Sequence, residues 1–554
     1  MRSCIVSKLT TSAIRNAFSP RIAVCALFPA ALLAFMLVMG YRVSVLEEPA
    51  FTVPSVLLIV VLTALFDLVI AMLWMLLEAR VPVRSHVRSQ LGAKAVVAAT
   101  AVVFACWIPV LLAGYPGFFT YDSGTGYLMQ WQQISSGELN AHHPILHTGY
   151  MALFLKGALA LTGDFNAGVF ASVLVQAVLV AAALGFSLSW LARRSIGRVG
   201  FILSVAYYAL DPIIGLFVFS TTKDVFFSAA FFSYCLAAAD LYRRFVIGGE
   251  PPHLRAFVPL ATFGFFAFAL RMNALVAIVA IFPVLLVLFK TARRQFVVAT
   301  VCSLVAVALV LGPISMLLGV QKSPISYWNA LGIPMQQIAR CTVDDAVSDQ
   351  DKQLIEAELP NIRYQQNLSD VARAAFTSTD TPKTDLLSLY IHLGVTYPDV
   401  FWAAALLQSE DAWSPFCVID CYGFDDPSTS AVFALAWQEP AHSDSKLPAL
   451  LDGLRWISED RGIESIPVVG LIVSIAFYLF VVAFALFKAI AVRNWEAVCL
   501  LFPLAVLALT NLLGPCMLIR YFFYLFLALP VMLFTVVHPG CLGGKQAAIP
   551  KAGS

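Results

Sequence analysis

The segment YPGFFTYDSGTGYLMQWQQISSGELNAHHPILHT, Tyr115 to Thr148, is polar, aromatic and ionisable, and it interrupts a chain that is otherwise oily. Asp122 sits in a Tyr-Asp-Ser turn between Gly117 and Gly124, and His142, His143 and His147 follow about Pro144. Such a stretch at a membrane exit is where chemistry is expected. The surrounding chain fixes the class: of 554 residues, 60% are hydrophobic and 12% charged, with a mean hydropathy of +0.84. Soluble domains carry roughly 25% charge, so the composition implies an all-α polytopic membrane protein. The formal net charge of +2 gives no basic surface for nucleic acid, and neither a Gly-rich phosphate loop nor a zinc-type Cys/His pattern occurs.

Apolar windows of spanning length fall near 22–40, 54–78, 92–114, 167–191, 199–219, 224–241, 256–270, 273–290, 296–318, 467–490, 496–514 and 521–538. About twelve transmembrane helices are therefore expected. The first follows Arg2, Lys8, Arg15 and Arg21, lacks a following small-residue cleavage site, and reads as a retained anchor. Residues 145–161 are apolar but short and carry His147 and Lys156; they are expected to lie in the interface rather than cross. With both termini inside, Arg80/Arg84/Arg88, Arg193/Arg194/Arg198, Arg243/Arg244/Arg255, Lys290/Arg293/Arg294 and the tail lysines Lys545 and Lys551 all fall on the cytoplasmic side, as the positive-inside bias requires. That orientation places the Asp122 segment, Lys223-Asp224, Arg271 and Arg520 on the outer face of the cell membrane.

The organisation expected is an N-terminal two-span extension (1–91), a membrane core (92–320) with a large external loop at 115–166, a mixed, mainly helical extracytoplasmic domain (321–466) and C-terminal membrane helices with a short tail (467–554). Cys341, Cys417 and Cys421 lie in the third part, where one disulfide is as compatible with the sequence as none, and spacing does not choose the pair.

Asp122, among Tyr121 and other interfacial aromatics, is placed to accept a proton, a partly desolvated carboxylate being pushed toward the neutral form; as a turn cap it needs no such role. His142, His143 and His147 are suited to a phosphate, and the i, i+4 spacing of His143 and His147 is also compatible with a divalent metal ion, no cofactor being certain from the sequence. Lys223-Asp224 ends a span on the side that disfavours basic residues. Arg271-Met272-Asn273 and Arg520-Tyr521 interrupt apolar runs at an insertion cost of about 2.5 to 3.5 kcal/mol per Arg. Guanidinium matches phosphate bidentately, so Lys223, Arg271 and Arg520 read as a phosphate cradle, with pairing to an acidic residue as the alternative. Asp67 and Asp211 are read as structural, Asp211-Pro212 marking a helix break.

The aromatic-Pro-Gly exit at 115–117, Tyr121-Asp122-Ser123, and His143-Pro144-Ile145-Leu146 opening an amphipathic helix resemble the first external loop of the glycosyltransferase C superfamily, which includes protein O-mannosyltransferases and lipid A aminoarabinose transferases; the likeness is greatest to a bacterial branch of multi-span proteins. The resemblance implies interfacial helices in that loop and inverting transfer of a sugar from a polyprenyl-phosphate-linked donor to a glycan, lipid or protein acceptor of the cell envelope. It implies Asp122 as base or metal-assisted orienter, Asp224 as a second acidic residue, and Lys223, Arg271 and Arg520 at the donor phosphate. Two features depart from the pattern: the two spans before residue 92, and a single Asp122 in place of a paired acidic motif. A non-enzymatic transporter of lipid-linked glycan is the competing expectation, disfavoured by the lack of an internal repeat.

Overall fold

The computed structural model describes residues 20–80, 91–118, 130–131, 133–194, 196–321, 328, 331–417, 444–458, 462–463, 466 and 469–537. Among them every regular element is helical, and the only bridges are two isolated pairs, Phe118 with Ser220 and Asn140 with Gln321. The membrane part begins with α1 (Pro20–Ser44), α2 (Val53–Arg80), α3 (Ala93–Ala113), α4 (Ile145–Thr162), α5 (Phe165–Arg193), α6 (Arg198–Leu210), α7 (Pro212–Val218) and α8 (Lys223–Tyr242). It continues with α9 (Val258–Leu270), α10 (Met272–Leu288) and α11 (Arg293–Leu309). The insert contributes α12 (Gly332–Cys341), α13 (Asp349–Glu358), α14 (Asp370–Ser378), α15 (Lys383–Thr396), α16 (Pro398–Trp413) and α17 (Pro448–Ser458). The chain then returns through α18 (Val469–Val473), α19 (Ile475–Ala491), α20 (Trp495–Asn511) and α21 (Ile519–Val537).

Among the described residues eight helices are long and apolar enough to cross a membrane, and nine if the bent pair α6/α7 is one span. Among the described residues each of the twelve apolar windows is mainly helical, but the runs at 254–270, 272–288, 475–491 and 495–511 are shorter apolar helices. Conversely α4, expected to lie in the interface, has the length and composition of a span. A multi-pass, all-helical membrane protein is thus secure, while twelve crossings is not the number that length and apolarity return.

The buried axis of the bundle is α8 with α21: 83% of each span window is buried, against 11% for α2, whose side chains are left for lipid. Small residues explain how α8 fits there. Ser228, Ala238 and Ala239 present little bulk, so neighbouring helices approach closely. At the end of the bundle bearing Arg194, that guanidinium is buried and meets Glu496 at 2.5 Å and Asp240 at 3.4 Å, tying α5 to α20 and α8. Lys488, also buried, pairs with Glu78 at 2.7 Å.

The α6/α7 break has a local cause. Pro212 opens α7, Asp211 caps it by accepting from the Ile214 N–H at 2.9 Å, and the two helices bend by 53°. Asp211 is therefore structural, as its place before Pro212 suggests. The neighbouring tyrosines repair a second break. Pro530, inside α21, has no N–H to offer the carbonyl of Phe526; the Tyr207 hydroxyl donates to that carbonyl at 3.0 Å, and Tyr208 donates to Leu527 O at 2.9 Å.

The insert has its own core, built on Met335, Ile338, Cys341, Ile355, Leu389 and Leu393. Cys341 is a buried thiol there, pushed up to about 12 by desolvation; Cys417 donates to Asp411 Oδ1 at 2.8 Å, and Cys421 lies outside the described residues. Asp351 fastens α13 to α15, accepting from the Tyr397 hydroxyl at 2.5 Å and meeting His392 Nε2 at 2.9 Å, and these bonds, Tyr397 first, hold its carboxyl below the usual range. Both ends of the insert are stitched to the first loop: Gln321 pairs with Leu139 and Ala141, and Asp444 N donates to Tyr115 O at 3.0 Å.

Removing the hydroxyl that serves the proline-orphaned carbonyl, by Tyr207→Phe, should destabilise the fold by about 1–3 kcal/mol, the cost of a buried acceptor left unpaired. Adding Pro530→Ala restores an N–H for Phe526 O and should recover part of that loss. Denaturant midpoints of the two single variants and the double variant in detergent measure it, and strict additivity would contradict the assignment.

Candidate functional site

The site is organised by the first turn of α8. Thr222 caps the helix, its hydroxyl accepting from the Asp224 N–H at 3.4 Å, and this turns the Asp224 side chain inward, where 1% of it is exposed. Arg271 reaches it from the single extended residue between α9 and α10, Nη1 lying 3.0 Å from Asp224 Oδ1. Arg520, at the start of α21 and equally buried, brings Nε to 3.6 Å from Asp224 Oδ2. One carboxylate is thus shared by two guanidiniums from opposite parts of the sequence.

Tyr521 completes the arrangement. Its ring lies 4.0 Å from the Arg271 guanidinium carbon and 5.1 Å from that of Arg520, and Arg520 Nη2 donates to its hydroxyl at 3.3 Å. Stacking a guanidinium on an aromatic face fixes the plane of its donors while leaving edge N–H groups available. Asn273 donates to Asn511 Oδ1 at 3.1 Å, and Asn511 donates to Tyr521 O at 2.7 Å, which ties the α10 start to both ends of the α20/α21 turn. Asp224, Arg271, Asn273, Arg520 and Tyr521 therefore lie together, and Lys223 adjoins Asp224 in the first turn of α8. The expected alternatives for the arginines, an acidic partner or a ligand, are not exclusive: the acidic partner is Asp224.

The histidines approach the same place from α4. His147 is buried, its Nδ1 lies 3.2 Å from Gln130 Nε2, and it sits within electrostatic reach of Lys223 and Asp224. His143 is buried beside His142, their rings 4.7 Å apart at 82°. Among the described residues no group of three His, Cys, Asp or Glu side chains is disposed to hold a metal. Tyr121 and Asp122 lie outside the described residues. The chain leading to them is placed, however: Phe118 N donates to Phe219 O and Phe118 O accepts from Thr221 N, both at 2.9 Å, so the start of the first loop is paired to a segment that ends three residues before Asp224.

From this end of the bundle a groove of about 630 Å³ runs between α4, α5, α8 and α9. Its wall begins at His147, Phe226 and Leu270 and ends at Asp240 and Arg244. Fifteen residues of α8 separate Phe226 from Leu241, about 22 Å of helix rise against a hydrocarbon core of about 30 Å. Between the ends the lining is mostly Ala, Leu and Phe, with Tyr150, Ser233 and Thr262 as the hydroxyl-bearing exceptions. Leu270 is the residue before Arg271, and Phe226 follows Asp224 by two positions.

Sequence reasoning passed over Thr222, Gln176 and the role of Asn511. Gln176 stands alone in the apolar run of α5 and donates to Val218 O and Ser220 O, both at 2.8 Å, holding the strand-like segment before Lys223. A solitary amide in an apolar run was the available signal, since its burial requires partners.

Residues 127–381 match the model of a family of unknown function (DUF6020). The match takes in the histidines, Lys223, Asp224, Arg271 and Asn273, and it stops short of Arg520 and Tyr521. No curated protein and no solved structure matches the chain.

Asp224→Ala should leave two buried guanidiniums without their shared carboxylate and destabilise the protein by about 3–5 kcal/mol. Arg271→Lys keeps the charge but gives up the planar stack on Tyr521 and should lose less. Thermal unfolding in detergent followed by tryptophan fluorescence measures both; an unchanged midpoint for Asp224→Ala would mean that the triad holds nothing together.

Proposed function

We propose that this chain is a membrane glycosyltransferase that moves a sugar from a polyprenyl-phosphate-linked donor to a glycan, lipid or protein acceptor at the outer face of the membrane. The observation that carries the reading is the pairing of a buried Asp224/Arg271/Arg520 cluster with an apolar groove about 22 Å long, whose lining residues Phe226 and Leu270 are close in sequence to that cluster. An anionic head joined to a long hydrocarbon chain has that shape and polarity. The resemblance of the first loop to the glycosyltransferase C superfamily supplies the reaction, and the family of unknown function matched by residues 127–381 neither adds to it nor conflicts with it.

In this mechanism the lipid chain lies in the groove and the phosphate meets the edge donors of Arg271 and Arg520, which Tyr521 holds in plane. Asp122 takes the proton from the acceptor hydroxyl. The oxygen attacks the anomeric carbon from the side opposite the phosphate, the glycosidic bond to phosphate breaks with inversion, and the electron pair leaves on polyprenyl phosphate. Fixed cations at the leaving phosphate stabilise the charge that develops there, without reorganising at the moment of reaction. A mainly apolar groove admits a chain but opposes passage of a sugar head, which favours transfer over transport.

Release of polyprenyl phosphate from purified donor and acceptor in nanodiscs tests the reading. Asp122→Asn should lower turnover by roughly 100-fold to 10,000-fold with donor binding kept, and Ala230→Trp, which fills the groove, should weaken donor binding itself. Equal turnover by wild type and Asp122→Asn removes Asp122 from the mechanism. Absence of transfer by the wild type, with lipid-linked glycan crossing the bilayer instead, establishes the transporter. A chelator added to the wild-type reaction decides whether a metal ion assists.

A further inference from the structure

The loop that delivers Arg520 and Tyr521 to the site is held from above by the insert. Pro515 O accepts from Gln408 Nε2 at 2.5 Å, from Ser369 N at 3.0 Å and from Ser369 Oγ at 3.1 Å, and Gln408 also reaches Gly514 O at 3.4 Å. Gln408 is itself fixed: its Oε1 accepts from Gln336 Nε2 at 2.9 Å, and Gln336 donates to Gln365 O at 2.6 Å. Gln336, Ser369, Gln408 and Asn511 are each 1% exposed or less. Gly332, at the start of α12, packs so closely on the loop that a Cβ there would lie 2.6 Å from Gly514 O.

Two segments of the insert, Ser369 opening α14 and Gln408 of α16, thus grip one carbonyl five residues before Arg520, while α12 packs against the preceding Gly514. The other end of the turn is closed by Asn511, which donates to Tyr521 O. Between these two fixed points the chain has little freedom, so the Arg520 guanidinium is set relative to Asp224 by contacts made in the insert. Buried amide donors are costly unless they are met, and here the Nε2 groups of Gln336 and Gln408 are spent on loop or insert oxygens, while Gln336 Oε1 has no partner among the described residues.

We propose that Gln408 and Ser369 are positioning residues of the anion site: acting through the Gly514–Pro515 turn, they hold Arg520 and Tyr521 in the geometry that receives a lipid phosphate. The site is then complete only while the insert is seated, and an acceptor that shifts the insert would change affinity for the donor by the same route. The inference rests on the phosphate reading of the Arg271/Arg520 cluster, and the experiment has one arm that does not.

In the first arm, maleimide labelling of the full-length protein in nanodiscs is quantified peptide by peptide. Cys516, in the gripped loop with Sγ 3.8 Å from the Tyr521 hydroxyl, should be labelled about tenfold faster in Gln408→Met, the scale of losing one buried hydrogen bond. Cys341, in the insert core, should be labelled at the wild-type rate. In the second arm, binding of geranylgeranyl phosphate should weaken about tenfold in Gln408→Met but by less than about twofold when the same change is made in Arg520→Gln, because the two act through one group. Unchanged Cys516 labelling together with unchanged affinity overturns the proposal, and so does an affinity loss that persists undiminished in Arg520→Gln. If Cys341 labelling also rises, the insert has opened; Ser369→Ala, which keeps the Ser369 N–H on Pro515, is then read in its place, with about threefold effects expected and no effect overturning the proposal. Failure of the wild type to bind the probe counts against the phosphate site, and Cys516 labelling then decides the positioning alone.

Discussion

A buried carboxylate shared by two arginines is the constraint on which the arrangement depends. Asp224 is capped into place at the start of α8, Arg271 comes from the turn between α9 and α10, and Arg520 from the start of α21. These segments have no local reason to meet. Bringing two guanidiniums to 1% and 10% side-chain exposure is unfavourable unless a counter-charge is supplied, so the three helix ends are obliged to converge. The apolar faces of α8 and α21 permit many registers, since lipid is as apolar as leucine; the ion triad selects one.

Much of this was legible in the sequence, and for one reason. In an apolar chain every ionisable residue is conspicuous, because its insertion is costly and must be compensated. Arg271 and Arg520 stand out in runs of Leu, Ala and Phe, and Lys223-Asp224 stands at the start of one. Helix positions were legible on the same ground, since among the described residues each of the twelve apolar windows is mainly helical. What the sequence did not distinguish was a short apolar helix from a crossing one: 254–270 and 475–491 are as oily as α5, and only their breaks, at Arg271 and Ser474, limit their length.

The tertiary bonds were less legible. Nothing in the composition of the insert indicates that Gln408 and Ser369 share a carbonyl with a loop more than a hundred residues away, because polar residues in a polar segment carry no surprise. The rescue of Phe526 O by Tyr207 was hidden for a related reason: Pro530 reveals an orphaned acceptor, but any hydroxyl in the bundle can answer it. The groove escaped notice because it is made by what α8 lacks. Its alanines carry no polar signal in the sequence, and along one face they border an opening.

Asp224 also bears on how strongly the site can hold a ligand. Two guanidiniums and a lysine without a carboxylate among them would bind a phosphate tightly, and an enzyme of the proposed class must release polyprenyl phosphate at every turnover. A carboxylate held at 3.0 Å and 3.6 Å from the two arginines repels an incoming phosphate while keeping both cations charged and oriented. The departing phosphate carries more negative charge than the bound donor, so the same carboxylate repels the product more than the substrate and favours its release. On the proposed reading, the residue that holds the fold's inner helices together also limits how strongly the site retains its own product.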